Sequence, residues 1–183
     1  VRGRKLSARR IRVSEQLNNF SAFGDISAMS ITGPLSVVAL RIQSTTSVSP
    51  STLTQTANEI SDVDIRLREH SNNIASLDND KDNDSIADVF NVFVNQSTAG
   101  AGEEVAFTLS AQAIINAGVT GYDHYICILP PDMNYSGYGQ AYISRNTAVI
   151  NGNYANGYPN GLEHEMAHNW GRHHANTDGV EYG

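Results

Sequence analysis

The sequence predicts an α/β domain with mostly parallel strands, and two observations lead to this fold class. Three apolar runs predict core strands, and the first of them is β-branched and nearly continuously apolar, as is typical of a strand covered on both faces of a sheet. The segments between these runs place apolar residues at helical spacing among polar ones. The order strand, helix, strand, helix, strand favours a parallel sheet, and 183 residues with 40% apolar composition suffice for one substantial core.

The main elements are predicted in chain order. The core strands are expected at residues 35–43, 89–94 and 122–129, the last stopped by Pro130-Pro131. The first helix should follow the turn signal Ser49-Pro50 and run to about Leu67. The second should span Glu103 to Ala117, with acidic residues in its first turn and Gly118 at its end.

The last third of the chain is expected to hold shorter elements. One or two short strands are predicted between Tyr138 and Ile150, interrupted near Arg145. Residues 151–161 contain three Asn-Gly pairs and one proline, which indicates a chain of turns. A third helix should begin there, with Asn160 as its N-cap and Glu163 closing a variant of the capping box.

The charge distribution argues against nucleic acid as a partner. The net charge is −7, although the first twelve residues hold six Lys or Arg and no acid, so the remaining residues carry −13. An acidic body repels phosphate, and no helix-turn-helix, zinc-finger or aromatic-basic strand pattern follows the basic segment. No apolar run approaches the length of a membrane span.

Cysteine usage does not decide the compartment. Cys127 is the only cysteine, so no intrachain disulfide can form, and its apolar surroundings indicate a buried core residue. The chain begins with Val1 and lacks a charged-then-apolar signal segment, so we expect that any secretory signal has been removed.

A histidine pattern near the C-terminus predicts a catalytic zinc site. His164 and His168, four residues apart, share one face of a helix and can bind one ion, while Glu165 can act as general base toward a metal-bound water. On a continuing helix His174 would lie about 240° round from His168, so the helix must end. Gly171 can end it with a positive φ and return His174 to the ion. Three histidines leave a fourth tetrahedral position open for water.

The alternative for this pattern is an amphipathic helix with chance surface histidines. All five constrained positions of HExxHxxGxxH match, and four of the six histidines lie within eleven residues, which favours zinc. His173 is the only competitor for the third ligand position, and we interpret it as a neighbour.

HExxHxxGxxH is the long zinc-binding consensus of the metzincins, and the chain resembles their gametolysin family. Three stretches carry the resemblance: Tyr122–Pro131, Gly139–Ile143, and Glu163–Ala175 with the later Glu181-Tyr182-Gly183. It covers about residues 35–183. It implies a twisted, mostly parallel sheet with an antiparallel edge strand, two long helices and a zinc-bearing helix. It also implies hydrolysis of peptide bonds in protein substrates.

The resemblance further implies where substrate binds and how the chain is divided. Substrate backbone would pair with the edge strand at Gly139, Gln140, Ala141 and Tyr142. Metzincins have a Met-turn after the third histidine, and no methionine follows Met166, so we expect an upper subdomain without its Met-turn subdomain. We expect residues 1–33 to be a leader or propeptide remnant and residues 34–183 to be the metzincin-like catalytic domain.

A run of aspartates predicts a calcium loop. Four of them match the DxDxDxxxD spacing of loops such as thrombospondin type 3 repeats: Asp80, Asp82, Asp84 and Asp88. Ser85 stands where those loops usually have Gly, and Asn91 where an EF-hand needs an acid. The alternative is a solvated acidic turn. Calcium here would serve stability and would indicate an extracellular protein.

The N-terminal segment holds one further candidate. The sequence ending Phe23-Gly24-Asp25 resembles the Phe-x-Gly-Asp element of astacin propeptides, with Ala22 in place of the first Phe. That resemblance implies that Asp25 occupies the fourth zinc position in a zymogen, which makes the protein's own propeptide a partner. The alternative is a plain surface turn at Gly24-Asp25.

The sequence therefore favours a secreted zinc endopeptidase in which Glu165 takes a proton from water and returns it to the leaving amine. The alternative is a calcium-stabilised extracellular binding or adhesion module on a degenerate or truncated protease fold. A Met-turn segment after Gly183 in the full gene would separate the two, and the zinc content of the purified protein would help next.

Overall fold

The computed structural model describes residues 32–143, 145–154, 159–172, 174, 176–177 and 180–181. This part of the chain forms a six-stranded sheet, three α-helices and a small two-stranded sheet. The strands are β1 (Gly33–Gln43), β2 (Ala75–Asp78), β3 (Val89–Phe93), β4 (His124–Ile128), β5 (Gly139–Ala141), β6 (Thr147–Ile150), β7 (Asn176–Thr177) and β8 (Val180–Glu181). The helices are α1 (Leu53–His70), α2 (Ala106–Ala117) and α3 (Pro159–Asn169).

The large sheet is parallel except at one edge. β1 pairs in parallel with β4 on one side, and on the other with β2 along its first half and β3 along its second half. β4 pairs in parallel with β6, and β5 runs antiparallel to β6 at the edge of the sheet. The predicted core strands and their parallel order are confirmed.

The two faces of the sheet are covered by different helices. Val37 and Ala39 of β1 face a core cluster that includes residues of α1 and α3. Val38 and Leu40 face the opposite cluster, to which α2 contributes. All four side chains are fully buried. Burial on both faces explains why β1 has a nearly continuous apolar sequence instead of an alternating one.

One predicted helix boundary is wrong, and another predicted helix differs only in the type of its first turn. The second helix begins as a short 3-10 turn at Glu103–Val105 before its α-helical part. Helix α3 begins at Pro159, so Asn160 lies inside the helix and is not its N-cap. Proline is favoured in the first helical turn because its φ is already helical and it lacks the N–H that would have no partner there.

Glu163 contacts α1 from the first half of α3. Its carboxylate lies 3.0 Å from Nδ1 of His70 and 3.9 Å from Nη1 of Arg66. These contacts join the exposed sides of α1 and α3.

Strand β2 was not predicted. Only Ala75 and Leu77 of its four residues are buried apolar positions, too few to show a period. The strand forms because it extends the pairing of β1 beyond the reach of β3.

The outer edge of β3 is partly covered by a side chain. The Nδ2 of Asn116, in the last turn of α2, donates a hydrogen bond of 2.8 Å to the carbonyl of Phe93. None of the helices in the described residues combines the length and apolar character needed to cross a bilayer.

Candidate active site

Helix α3 carries two histidines on one face. His164 is exposed and His168 is buried, and their Nε2 atoms lie 3.2 Å apart. The rings are nearly perpendicular, with centroids 4.7 Å apart. Residues four apart meet on a helix surface, so this pair follows from helix geometry.

The helix ends in a turn that reverses the chain. Gly171 has φ of +83°, a conformation that glycine adopts without steric cost. Its N–H donates to the carbonyl of His168 at 2.9 Å, and the N–H of Arg172 donates to the carbonyl of Ala167 at 2.9 Å. These two bonds define a Schellman motif. The sequence-based prediction that Gly171 ends the helix with a positive φ is confirmed.

The turn brings a third histidine to the pair. Nε2 of His174 lies 3.2 Å from Nε2 of His164 and 2.9 Å from Nε2 of His168. A tetrahedral zinc ion with bonds of about 2.0–2.1 Å would hold its nitrogen ligands about 3.3 Å apart. The three nitrogens therefore face one another at nearly the spacing that a zinc ion requires.

The protonation of these rings suits a metal. Nδ1 of His168 lies 2.7 Å from the carbonyl of Arg172, which can only accept, so Nδ1 carries the proton and Nε2 has a free lone pair. Burial, followed by the neighbouring His168 and His174, lowers the pKa of His164. A histidine must be neutral to bind a metal, so a lowered pKa favours the ligand form.

Glu165 lies beside the three histidines and is 7% exposed. Burial raises its pKa to about 7, while His174 and a hydrogen bond from the Ala141 backbone act in the opposite direction. At this pKa the carboxyl group can both accept and release a proton near neutral pH.

The segment predicted to align substrate lies next to α3. Gly139, Gln140 and Ala141 form β5, which among the described residues pairs only with β6 and is the edge strand of the sheet. Tyr142 follows, is 54% exposed and stacks on Phe107 of α2 with centroids 4.4 Å apart. Strand β5 therefore lies against the helix that carries the histidines, whereas the side chain of Tyr142 contacts the helix on the opposite face of the sheet.

Asn169 links α3 to β6 and to the residue that follows β5, a role that the sequence did not predict. Its Nδ2 donates to the carbonyls of Tyr142, at 3.1 Å, and Thr147, at 3.2 Å. The side chain is buried, with 1% exposure. The sequence held one weak signal of this role: Asn169 directly follows a motif histidine inside the predicted helix, although asparagine is seldom favoured in helix interiors.

A second unpredicted contact lies beneath the helix end. Nε1 of Trp170 donates a hydrogen bond of 2.9 Å to Nε2 of His124, a residue of β4 that is 1% exposed. Burial lowers the pKa of His124 to about 4. Among the described residues its Nδ1 has no hydrogen-bond partner. The sequence signal of this contact was the presence of a histidine, His124, inside a predicted apolar strand.

The aspartate loop brings three of its four predicted residues together. Asp80, Asp82 and Asp84 each offer a carboxylate oxygen, and these atoms lie within 4.8 Å of one another. The Asp80 carboxylate accepts the N–H groups of Asp84 and Ser85, each at 3.0 Å. Ser85 has φ of +68°, the conformation for which such loops usually use glycine.

The fourth aspartate makes other contacts. Asp88 is buried, and its carboxylate accepts the N–H of Lys81 at 2.9 Å. Burial raises the pKa of Tyr122 to about 12, and a hydrogen bond to Asp88 adds to this effect. The ammonium group of Lys81 lies 4.6 Å from the centre of the Tyr122 ring. Asp88 therefore joins the loop to the start of β4.

Three predictions concern residues outside the described part of the chain. Asp25 and the rest of the basic leader lie in residues 1–31, and His173 is likewise outside. The proposed zymogen contact of Asp25 therefore stays a prediction.

Comparison with known proteins identifies one family. The sequence profile of the gametolysin peptidase M11 family matches residues 35–183, which is most of the chain. No curated protein matches the sequence.

Proposed function

The chain belongs to the gametolysin peptidase M11 family, and we propose that it is a secreted zinc endopeptidase of the metzincin type. The observation that carries this proposal is the meeting of three imidazole nitrogens, from His164, His168 and His174, beside the buried carboxyl of Glu165. The peptidase family assigns the class of reaction, and this cluster supplies residues suited to it.

The donor set fits zinc. Neutral imidazoles are preferred ligands of zinc, and three of them leave one coordination position open, which distinguishes catalytic from structural sites. Bound there, zinc would supply a Lewis acid that lowers the pKa of water and polarises a substrate carbonyl. The hydrogen bond from Nδ1 of His168 to the Arg172 carbonyl keeps Nε2 of this ring directed toward the other two histidine nitrogens.

Glu165 is proposed to move the proton. Its carboxylate takes a proton from the water that attacks the peptide carbonyl and delivers it to the leaving amine nitrogen. The pKa of about 7, raised by burial, fits a group that must both accept and release a proton at neutral pH.

The proposed substrate is an extended protein or peptide segment. β5 presents an open edge beside the histidines, and a substrate backbone can add to such an edge as one more strand. Gly139, Gln140, Ala141 and Tyr142 are the residues proposed to align it.

We further propose that the aspartate loop binds calcium and that the protein acts outside the cell. Three carboxylate oxygens on a tight loop suit a hard cation, and the positive φ of Ser85 gives the loop the bend that calcium loops need. Extracellular calcium is concentrated enough to occupy a weak site, which supports secretion.

The test compares two neighbouring glutamates of α3 in the full-length protein. Glu165→Gln should keep its zinc and lower proteolysis by about 10² to 10⁴-fold, because it removes the base and no ligand. Glu163→Gln is the control, since Glu163 contacts His70 and Arg66 instead of the histidine cluster. It should keep both zinc and activity.

Two results would contradict the proposal. Equal activity in both variants would remove Glu165 from the reaction. A protein that binds calcium but neither zinc nor peptide substrate would be the binding or adhesion module instead.

A further inference from the structure

The close packing of β5 against both β6 and α3 requires glycine at position 139. A Cβ atom at Gly139 would lie 2.6 Å from the Val149 carbonyl oxygen and 2.9 Å from Cγ of Glu165. Both distances are shorter than real Cβ atoms show. The φ of Gly139 is outside the left-handed region, so space and not backbone conformation excludes a side chain here.

The hydrogen-bond pattern of β5 shows which backbone groups face the open edge. The N–H of Asn151 donates to the Tyr138 carbonyl at 2.8 Å, in the same register that pairs Gln140 with Val149. Hydrogen-bonded pairs alternate along an antiparallel ladder. Gln140 therefore bonds to β6, while Gly139 and Ala141 direct their N–H and carbonyl groups away from it.

One of these outward groups is already used by the protein. The backbone N–H of Ala141 donates a hydrogen bond to the carboxylate of Glu165. Hydrogen bonds to an ionised carboxylate are among the stronger ones in proteins. Below the strand, the Cγ of Glu165 occupies the space that a side chain at Gly139 would fill.

The far end of the strand is fixed from the same helix face. Asn169 lies four residues after Glu165, so both side chains project from one side of α3. Nδ2 of Asn169 donates hydrogen bonds to the carbonyls of Tyr142 and Thr147. The strand and the helix are thus joined at two points one helical turn apart.

We propose that β5 positions the general base: the missing side chain of Gly139 and the N–H of Ala141 together fix the side chain of Glu165. The proposal rests on the proposed function for the role of Glu165. The proposal also gives two residues of the predicted substrate-aligning segment different roles. The N–H of Ala141 binds the general base, while the outward backbone groups of Gly139 remain free to pair with substrate. Gly139 and Ala141 are positioning residues, since both act through Glu165.

The kinetic test uses two glycines of one segment. Gly139→Ala should lower kcat by about 100-fold, the cost of misplacing a catalytic group by about 1 Å, with KM and zinc content nearly unchanged. Gly137→Ala is the matched control, because a Cβ there would meet its nearest neighbour at 3.6 Å, an ordinary contact. Gly137→Ala should keep its kcat.

Further variants separate positioning from loss of folding. Gly152→Ala would place a Cβ 2.1 Å from the Leu129 carbonyl oxygen, so it should lower stability while the remaining folded enzyme keeps its kcat. Ala141→Pro removes the outward N–H without breaking a bond to β6, and an edge strand tolerates proline at such a position, so this variant should lower kcat as Gly139→Ala does. A raised KM with normal kcat in Ala141→Pro would mean that this N–H binds substrate, and would overturn the proposal.

A spectroscopic test is independent of activity. In the zinc-free protein, the Ala141 amide proton should move upfield in Glu165→Ala and in Gly139→Ala, and stay in place in Gly137→Ala, when followed by ¹H–¹⁵N NMR. An Ala141 resonance that ignores Glu165→Ala would overturn the positioning role. An absence of zinc or proteolysis in the unmodified protein would instead remove the proposed function, while the amide shift would still report the contact.

Discussion

The histidine cluster and the aspartate loop are both candidate metal sites, yet they are built in different ways. The histidines come from a helix and from the chain that returns after Gly171, and they contact the edge of the sheet through the neighbouring Glu165 and Asn169. The three aspartates lie within five consecutive residues and are held by N–H groups of the same loop. Packed elements fix the first site, and local turns fix the second.

This difference has an electrostatic consequence. Neutral imidazoles carry no net charge, so the histidine cluster meets less repulsion without an ion than a set of carboxylates does. Three carboxylates within 4.8 Å repel, and the loop's N–H donors offset this only in part. We therefore expect the metal at the histidines to matter for chemistry, and the metal at the aspartates to matter for stability.

The largest expected effect separates the two sites by activity. His168→Ala should lose zinc on dialysis and lose proteolysis by about 10³-fold or more, because the metal's contribution to the reaction is worth several kcal/mol. Asp82→Ala should keep both. Zinc analysis and a peptide-cleavage assay measure the contrast, and a comparable loss of proteolysis in Asp82→Ala would abolish the proposed division of roles.

The second effect concerns the free energy of unfolding of the zinc-free protein. The pKa of Glu165 is raised by burial from its ordinary 4.5 to about 7, so the folded state binds more protons than the unfolded state between these values. Stability should then fall as pH rises from about 4.5 to 7. Glu165→Gln should remove this decline. Its free energy of unfolding should exceed that of the unmodified protein by up to about 3 kcal/mol at pH 8 and equal it at pH 4.

Urea unfolding at several pH values checks this prediction. Glu163→Gln serves again as the control, since its carboxylate is not part of the histidine cluster. Parallel pH profiles for Glu165→Gln and the unmodified protein would show that Glu165 is solvated.

The third prediction concerns His124, whose titration should change the free energy of unfolding in the direction opposite to that of Glu165. Burial lowers the pKa of His124 to about 4, so the unfolded state binds more protons between about 4 and 6.5. Stability should be lost as pH falls through this window, by up to about 3 kcal/mol, and His124→Gln should reduce the loss. Urea unfolding at several pH values between about 4 and 7 measures this loss, and an unchanged acid limb in His124→Gln would show that His124 does not cause it.

The smallest effect belongs to the aspartate loop. Calcium at about ten times its Kd should stabilise the protein by about 1.4 kcal/mol, seen as a higher melting temperature, because it binds only the folded state. Asp82→Ala should abolish the increase, whereas Asp62→Ala, an exposed aspartate of α1, should retain it. A melting temperature that calcium does not change in the unmodified protein would favour the solvated turn.

The sequence predicted what depends on spacing along one chain segment. Helix geometry places His164 and His168 together, and the need to return His174 requires a reversal at Gly171, which the structure has. Strands β1 and β4 were equally visible, because burial on both faces leaves an uninterrupted apolar run.

What the sequence did not predict depends on contacts between distant segments. The indole of Trp170 meets His124 across 46 positions, and no local pattern links the two residues. Likewise, the reasons for glycine at position 139 are the Val149 carbonyl and the Glu165 side chain, which belong to two other elements. β2 exists only because β1 offers it a partner. Such features require the assembled fold.

The contact between Asn116 and Phe93 bears on self-association. Open sheet edges invite pairing with other chains, and proteins that leave them bare tend to aggregate. At β3 a side chain from α2 occupies a carbonyl that an incoming strand would use. At β5 the base itself occupies an N–H, but the backbone groups of Gly139 still face outward. A protein that leaves one edge accessible for substrate gains from blocking the other, because two open edges would allow copies to stack into a continuous sheet.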